Sequence, residues 1–253
     1  MTMIWIRKLL IASLAASFPI YVCAQRKVTF TASDHLTVTA DLYRLNKNDP
    51  YIILLHRENS SRGEYRDIAP KLQKLGFNCL AVDLRYGKEC NFVRNETVMQ
   101  AQQKNAATSM LDCEKDIAAA IDYIVKTAVN KRCILLGSSF SASLAMKAAN
   151  HHRDVTAAIA FSPGEYFGST VSVKDWFADY DRFLFVATTQ HEYPFVTDLL
   201  QNIPSSARLT RFQPSSESSV QGAPVLWNEE ASSDEYWMSL MLFLNKVKEA
   251  EYQ

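Results

Sequence analysis

The chain has 253 residues, 48% of them hydrophobic and 21% charged, which is an ordinary composition for a folded soluble domain. Its 27 basic residues balance its 27 acidic ones, which argues against attraction to nucleic acid or to an anionic membrane. After residue 24, no segment is long and apolar enough to span a bilayer.

The N-terminus has the pattern of a secretory signal peptide. Two basic residues precede an apolar run, and the run ends in a small-x-small cleavage pattern at Ala24. We therefore predict a signal peptide over residues 1–24, a single domain over residues 25–253 and a periplasmic or extracellular location. A lipid anchor on Cys23 and a retained anchor helix are the two alternatives.

Four cysteines lie in the predicted mature chain, where an oxidising compartment would allow disulfides. Cys79 and Cys133 belong to apolar, strand-like runs, which favours buried thiols. Cys90 and Cys113 flank a polar excursion, and a disulfide between them remains an open alternative. No CxxC or Cys/His spacing indicates a metal site, and no motif indicates a cofactor.

The predicted mature chain opens with two strands. Residues 27–33 and 36–44 alternate apolar and polar side chains and are joined by Asp34 and His35, which predicts an antiparallel hairpin. The later strands are short, continuous apolar runs, which are typical of strands buried on both faces of a parallel sheet. These runs cover residues 51–56, 77–82, 133–136, 155–161, 183–187 and 209–212.

Helical patterns separate these strands, with apolar residues three and four positions apart. They cover residues 64–75, 113–126, 141–151, 195–201 and 234–247. The alternation predicts a doubly wound, mostly parallel α/β sheet that carries helices on both faces and follows the antiparallel hairpin. The polar stretch over residues 85–107 is the candidate for a flap, with Gly87 as its hinge.

The strongest chemical signal is the segment Gly137-Ser138-Ser139-Phe140-Ser141, between a predicted strand and an apolar helix. A nucleophilic serine needs such a tight turn, because the turn projects its hydroxyl from the edge of the sheet. The helix N-terminus also favours developing negative charge. We therefore predict that Ser139 is a nucleophile, with Ser141 in place of the usual last glycine. A serine-rich helix cap without chemistry is the alternative.

Two backbone N–H groups are predicted to form an oxyanion hole. One belongs to Phe140, and the other to Glu58 or its neighbour Arg57, in the loop after the strand that ends at His56. A histidine at the end of a buried strand usually fixes the geometry of its loop, so we expect a structural role for His56.

These features resemble the dienelactone-hydrolase-related branch of the α/β-hydrolase family, over nearly the whole predicted mature chain. The matching segments are the strand end at His56, residues 61–65, residues 81–85, the turn at Ser139 and residues 161–166. The resemblance implies an α/β-hydrolase fold, a serine–acid–histidine triad in that chain order, and activity on esters or lactones.

The resemblance places the acid of the triad in the loop after the strand over residues 183–187. Glu192 fits this position, and a glutamate can orient an imidazole as an aspartate does. A carboxylate at the start of a helix, near the positive end of the dipole, is an equally good interpretation of Glu192. Glu165 is a weaker candidate for the acid.

The resemblance also implies a histidine after the last strand, but Gln221-Gly222 occupies that position. A glutamine cannot accept a proton near neutral pH and can only hydrogen-bond to Ser139. No histidine follows His191 in the chain. His191 is a base only if its loop brings the imidazole to within about 3 Å of the Ser139 hydroxyl. Otherwise it is an exposed loop residue.

Three functions are compatible with this sequence. The first is a serine hydrolase that acts on a small ester or lactone-like ligand. The second is a catalytically inactive, hydrolase-like protein that keeps the pocket and binds a small ligand or a partner. The third is a structural or partner-binding surface protein. The sequence carries no signal for an oligomeric state, and whether an imidazole reaches Ser139 distinguishes the first two functions.

Overall fold

The computed structural model describes residues 25–177, 179–206, 208–216 and 219–252. The predicted signal peptide, residues 1–24, lies outside the described residues. Within them, eight strands form one sheet in the order β1-β2-β4-β3-β5-β6-β7-β8. The strands are β1 (Gln25–Thr31), β2 (Thr37–Tyr43), β3 (Tyr51–Leu55), β4 (Asn78–Val82), β5 (Cys133–Ser138), β6 (Val155–Phe161), β7 (Phe183–Ala187) and β8 (Leu209–Phe212).

The strand pairing confirms the predicted fold class. β1 and β2 form the N-terminal antiparallel hairpin, in which Gln25 pairs with Tyr43 at the open end and Thr31 pairs with Thr37 next to the turn. β2 is also antiparallel to β4, and the pairings from β4 through β3 to β8 are all parallel. The result is a mostly parallel sheet with an antiparallel edge, as the change from alternating to continuous apolar runs predicts.

Helices connect the parallel strands. They are α1 (Ile68–Lys74), α2 (Glu96–Gln103), α3 (Cys113–Thr127), α4 (Phe140–His151), α5 (Tyr193–Leu199) and α6 (Ser233–Tyr252). The helix predicted over residues 64–75 is divided into a 3₁₀ turn (Arg62–Tyr65) and α1, and Ser61 caps the 3₁₀ turn by accepting a hydrogen bond from Gly63 N. Among the described residues, no helix has the length and hydropathy needed to cross a bilayer.

The sheet separates two hydrophobic cores. Side chains alternate between the faces of a strand, and in β3 the residues Ile53 and Leu55 belong to one core, whereas Ile52 and Leu54 belong to the other. The hairpin, α3, α4 and α5 cover the first core, and α1 and α6 cover the second. Burial on both faces explains why the parallel strands are apolar at nearly every position.

The polar stretch over residues 85–107 is held by buried contacts and contains a helix that the sequence analysis did not predict. α2 is capped by Asn95, whose side chain accepts a hydrogen bond from Val98 N at 2.9 Å. The buried Arg62 pairs with Glu96 at 2.8 Å and also with Asp83. A Cβ atom on Gly87 would overlap the Ser60 carbonyl oxygen, so this glycine allows close packing, and its role as a hinge stays a prediction.

Cys90 and Cys113, the pair considered for a disulfide, are both thiols in the structure. Cys113 is buried in the first turn of α3, and Cys90 lies half-buried in the stretch before α2. Cys133 is buried in β5, and burial raises the pKa of its thiol to about 12.

Candidate active site

The loops after β3, β5, β6, β7 and β8 follow the carboxyl ends of parallel strands, where ligands bind in open α/β sheets. Ser139 lies at this edge, between the last residue of β5 and the first residue of α4. Its φ of 58° is in the left-handed region. For a residue with a side chain this conformation costs about 1–3 kcal/mol, and such strain clusters at functional sites.

The residues around Ser139 allow this tight turn. A Cβ atom on Gly137 would overlap backbone atoms of Ser141 and Ala142, so only glycine fits at this crossing of β5 and α4. The Ser141 hydroxyl accepts a hydrogen bond from Ser138 N at 2.9 Å and donates one to Leu55 O at 2.7 Å. Ser141 therefore ties the turn to β3, which a glycine in its place cannot do.

The two predicted oxyanion donors lie in the turn and in the loop after β3. Phe140 is the first residue of α4, so its N–H has no partner within the helix. The N–H of Arg57 donates to the Glu64 carboxylate at 3.2 Å. Of the two neighbours proposed for the second donor, Arg57 is therefore engaged, which leaves the N–H of Glu58.

The side chain of Glu58 makes a contact that the sequence did not predict. The Ser139 hydroxyl donates a hydrogen bond to Glu58 Oε2 at 2.9 Å. Glu58 is half-buried, and it follows β3 by three residues. A carboxylate is thus the hydrogen-bond acceptor for the Ser139 hydroxyl, as an imidazole is in a serine–histidine pair.

His56 holds the loop that carries Glu58. It is fully buried, its Nδ1 donates to Arg57 O at 2.7 Å, and its Nε2 accepts from Leu84 N at 3.0 Å. Burial lowers the pKa of the imidazole, which keeps it neutral. Both nitrogens are engaged within the loop, so His56 has the structural role that its position in the sequence indicates.

Ser162 and Tyr166, in the loop after β6, complete the surroundings of Ser139. The Tyr166 hydroxyl donates to Ser162 O at 2.9 Å and also contacts the Ser139 hydroxyl. Burial raises the pKa of Tyr166, the contact with Ser139 lowers it, and the negative charges of Glu192 and Glu58 raise it further. The phenol therefore lies within the electrostatic influence of both carboxylates.

Glu192 lies at the start of α5, in the loop after β7, as the sequence predicts. Its Oε2 accepts hydrogen bonds from Ser162 Oγ and from Thr189 N, both at 2.9 Å. It occupies the N-cap position of α5, but its side chain forms no capping hydrogen bond to the helix. In this structure the partner of the predicted acid is the Ser162 hydroxyl. Glu165, the weaker candidate, instead accepts from Val173 N at 2.7 Å and Lys174 N at 3.1 Å.

The loop that contains Gln221 is held against the turn at Ser139. Gly222 N donates to Ser162 Oγ at 2.9 Å, and Ala223 N donates to Ser138 Oγ at 2.8 Å. Gln221 itself is exposed, and its carbonyl accepts from Arg57 Nη1 at 3.1 Å. The residue predicted at the position of the base therefore lies at the rim of the site.

In the described part of the chain, no hydrogen bond joins a histidine to Ser139. His191 is exposed, with its ring 6.0 Å from that of Phe195. His35 lies in the hairpin turn, and His151 and His152 end α4, one helix length from Ser139. Over the described part of the chain, no three His, Cys, Asp or Glu side chains are grouped so that they could hold a metal ion.

Two residues of the site, Ser162 and Tyr166, had no role in the sequence analysis, although their segment contributed to the resemblance. The signal that would have found Ser162 is a polar side chain directly after a buried strand, whereas Tyr166 lies five residues after the end of β6 and carries no such signal. For Glu58, the sequence predicts the backbone position, but the carboxylate contact joins residues 81 positions apart. Such a contact depends on side-chain direction, which hydrophobic periodicity does not carry.

This fold, with a serine in a strained strand-to-helix turn at the carboxyl edge of the sheet, defines an α/β-hydrolase. A family model described as serine aminopeptidase, S33, matches residues 46–195, more than half of the 253-residue chain. The chain therefore belongs to this hydrolase family. The matched range includes Ser139 and Glu192 and ends before Gln221.

Solved structures support the same fold. An esterase from Pyrococcus furiosus is 16% identical, with a TM-score of 0.64, over 88% of this chain and 91% of the esterase. A dienelactone hydrolase from Anabaena variabilis is 14% identical, with a TM-score of 0.65, over 88% of this chain and 97% of that enzyme. These similarities confirm the resemblance to dienelactone hydrolases. No curated protein matches the sequence.

Proposed function

We propose that this protein is an exported serine hydrolase that acts on a small ester or lactone, with Ser139 as its nucleophile and without a histidine base. The observation that carries the proposal is the conformation of Ser139, which combines a φ of 58° with a hydroxyl that is hydrogen-bonded to a carboxylate. The strain is maintained by the crossing at Gly137 and by the hydroxyl of Ser141. A helix cap without chemistry does not need this arrangement.

The missing imidazole sets the expected rate. In serine proteases, loss of the catalytic histidine lowers turnover by on the order of a million-fold, and a residual rate comes from binding and the oxyanion hole. We therefore expect slow turnover and a preference for activated esters. Phe140 and Glu58 would supply the two oxyanion N–H groups.

The chemical class of the substrate is proposed from the structures that share this fold. The names of the structural neighbours, an esterase and a dienelactone hydrolase, favour an ester or lactone.

A second candidate function is binding without turnover. It is favoured by Gln221, which stands where the resemblance implies a histidine, and by the exposed position of His191. In this function Ser139, Glu192 and Gln221 would act as hydrogen-bonding groups for a small ligand. The two candidates differ in one property, which is the ability of the Ser139 hydroxyl to form a covalent bond.

A fluorophosphonate probe tests this property directly. We expect slow, stoichiometric phosphonylation of the parent at Ser139, detected by intact mass and located by peptide sequencing. Ser139→Ala should abolish the adduct. Ser169→Ala is the matched control, because Ser169 is exposed in the loop after β6, and it should leave labelling unchanged.

Gln221→His separates the two candidate functions. If the parent is inert and Gln221→His becomes labelled at Ser139, the scaffold is a hydrolase that has lost its base, and the binding function is the correct one. If neither protein is labelled, Ser139 is not a nucleophile and the proposed hydrolase is wrong.

Export is part of the proposal. It is supported by the basic, apolar and small-x-small pattern of residues 1–24, which is that of a cleavable signal peptide. We propose cleavage after Ala24 and a periplasmic or extracellular location for the hydrolase.

A further inference from the structure

We propose that Glu58 is the general base of this hydrolase, so that a serine–glutamate pair replaces the serine–histidine pair. The inference rests on the proposed function, because it assigns a proton acceptor to the nucleophile Ser139. It goes beyond the predicted role of Glu58, which was limited to its backbone N–H. The contact that carries it is the hydrogen bond of 2.9 Å from Ser139 Oγ to Glu58 Oε2.

The distance meets the requirement for proton transfer, since a general base must lie within about 2.6–3.2 Å of the atom that loses the proton. The remaining carboxylate of the site, Glu192, is engaged instead by Ser162 Oγ and Thr189 N. His191 is exposed and contacts Phe195. Tyr166 also contacts Ser139, but it is a phenol that carries its own proton. Of the described residues assigned to the site, Glu58 is thus the carboxylate that accepts a hydrogen bond from the nucleophile and can take its proton.

The loop that carries Glu58 is held from three sides. His56, directly after β3, is bonded to Arg57 O and Leu84 N. The backbone N–H of Arg57 donates to Glu64, and its guanidinium donates to Gln221 O at 3.1 Å. These contacts restrain the backbone on the N-terminal side of Glu58, which is the positioning that a catalytic side chain requires.

The proposed reaction has two balanced steps. Ser139 Oγ forms a bond to the carbonyl carbon of the ester, and its proton moves to the Glu58 carboxylate. The bond to the leaving alkoxide then breaks, and the protonated Glu58 returns the proton to that oxygen. In the second step a water attacks the acyl-enzyme, Glu58 takes a proton from the water, and the same proton is returned to Ser139 Oγ as the acid product leaves.

Charged and titratable groups approach Glu58 from several elements. Arg57 and His56 lie on its own loop, and Glu64 of the 3₁₀ turn accepts a hydrogen bond from Arg57 N and acts, like Glu58, on His56. Tyr166 comes from the loop after β6 and is influenced by both Glu58 and Glu192. In mild acid a carboxylate is still ionised and can take a proton, whereas an imidazole is already protonated. The reason is that the ordinary pKa is about 4.3 for a glutamate and about 6.5 for a histidine. A glutamate base therefore predicts that reactivity persists in mild acid.

The test is the rate of fluorophosphonate labelling of the full-length protein, measured at about pH 5.5 and about pH 8. We expect the parent to retain most of its rate at the lower pH. Glu58→Gln keeps the size of the side chain but cannot take a proton, and we expect its rate to fall about 100-fold or more. Glu89→Gln is the matched control, since Glu89 is exposed and pairs only with the exposed Arg94. It should behave as the parent.

The outcomes separate this inference from the proposed function. If the parent is labelled at Ser139 and Glu58→Gln is labelled at a similar rate, Glu58 is not the base, although Ser139 remains the nucleophile. If the parent is not labelled at all, both proposals are wrong. Glu58→Asp is measured in parallel in case Glu58→Gln does not fold. The aspartate keeps the charge, but its shorter side chain moves the carboxylate away from Ser139. A labelling rate of Glu58→Asp equal to that of the parent therefore also overturns the inference.

A double variant provides a rescue. Glu58→Gln combined with Gln221→His supplies an imidazole at the position that the resemblance implies. If Glu58 acts by accepting a proton, the double variant should regain labelling near neutral pH and lose it in mild acid, because an imidazole base is protonated there. If the double variant is labelled no faster than Glu58→Gln, while Gln221→His alone is labelled, then Glu58 is needed for the fold of the site and not as the base.

Discussion

At the scale of the residue, the charge of Glu58 has two opposite effects on Ser139. A fixed negative charge about 4 Å from a developing oxyanion would cost about 4 kcal/mol at an effective dielectric constant of about 20. General base catalysis contributes about 10²–10⁴-fold, which corresponds to about 3–5 kcal/mol. The two terms are similar in size. They are reconciled if the proton moves to Glu58 as the oxyanion forms, because the carboxylate is then neutral when the negative charge develops.

Gly222 is a second residue on which the site depends. Its φ is 77°, and a Cβ atom there would overlap Ser138 Oγ, which accepts a hydrogen bond from Ala223 N. Gly168 has a similar φ of 83° but nothing within 4 Å of the position of a Cβ atom. Substitution of these two glycines therefore separates the cost of backbone strain from the cost of steric overlap.

We predict that Gly168→Ala lowers the free energy of unfolding by about 1 kcal/mol, from the left-handed backbone alone. Gly222→Ala should cost about 2–4 kcal/mol, since the added methyl also displaces Ser138. Urea denaturation of both variants measures the difference. Equal losses in the two variants would show that the loop after β8 moves away from the turn at no cost.

At the scale of the element, two buried arginines hold the antiparallel edge of the sheet to the helices. Arg85 pairs with Asp116 of α3 at 2.8 Å and with Asp34, in the turn between β1 and β2. Arg62 pairs with Asp41 of β2 and with Glu96 of α2. An arginine buried this deeply is stable only while its carboxylates remain in place.

Asp34 makes this edge sensitive to acid. The hydrogen bond from Arg85 holds the pKa of the carboxyl well below its ordinary value. A lowered pKa in the folded state adds stability above the ordinary value of about 3.9, and that stability is lost as the pH falls below it.

We therefore predict that Asp34→Asn lowers the free energy of unfolding by about 1–3 kcal/mol at neutral pH. The difference from the parent should shrink as the pH falls below about 4, since Asp34 of the unfolded parent then binds a proton while the folded parent still holds the carboxylate in its charged form. Urea denaturation of both proteins across this pH range measures the difference in the free energy of unfolding. Asp67→Asn, at an exposed position without a capping hydrogen bond, is the control and should differ little from the parent. A difference that is constant with pH would contradict the assignment.

At the scale of the whole molecule, the described chain has the scaffold of an α/β-hydrolase, and Gln221 stands at the position where the resemblance implies a histidine. The cores on both faces of the sheet are built from strands and helices, and none of their members is Gln221 or His191. The packing of the cores therefore does not depend on these two residues, and function has to be argued from the site.

The proposed export predicts the mass and the thiol content of the mature protein. If cleavage follows Ala24, intact-mass spectrometry of the secreted protein should give a chain that begins at Gln25. Alkylation after denaturation should modify all four remaining cysteines, since Cys90 and Cys113 are both thiols in the structure. A secreted chain that retains residue 1 would contradict export by cleavage. A mass two hydrogens lower than that of the four-thiol chain, together with two cysteines that resist alkylation, would contradict the thiol state.

The sequence by itself determined the order along the chain of the eight described strands and of five of the six described helices, and the turn at Ser139. These features follow from local patterns, because side-chain periodicity within a strand or helix sets its buried face. The eighth strand, Leu209–Phe212, and the start of β7 at Phe183 were predicted at the bounds that the structure has. α2 was missed because its sequence is polar and only partly buried, so it carries little of the helical pattern.

Only the tertiary structure decided what surrounds Ser139. The loops after β3, β6, β7 and β8 approach the turn from distant parts of the chain, and the direction of each side chain depends on packing between them. That packing places the Glu58 carboxylate on Ser139 Oγ, gives Glu192 the hydroxyl of Ser162 as a partner, and leaves His191 exposed. The sequence shows that position 221 is not a histidine, but only the three-dimensional contacts show which group is hydrogen-bonded to Ser139.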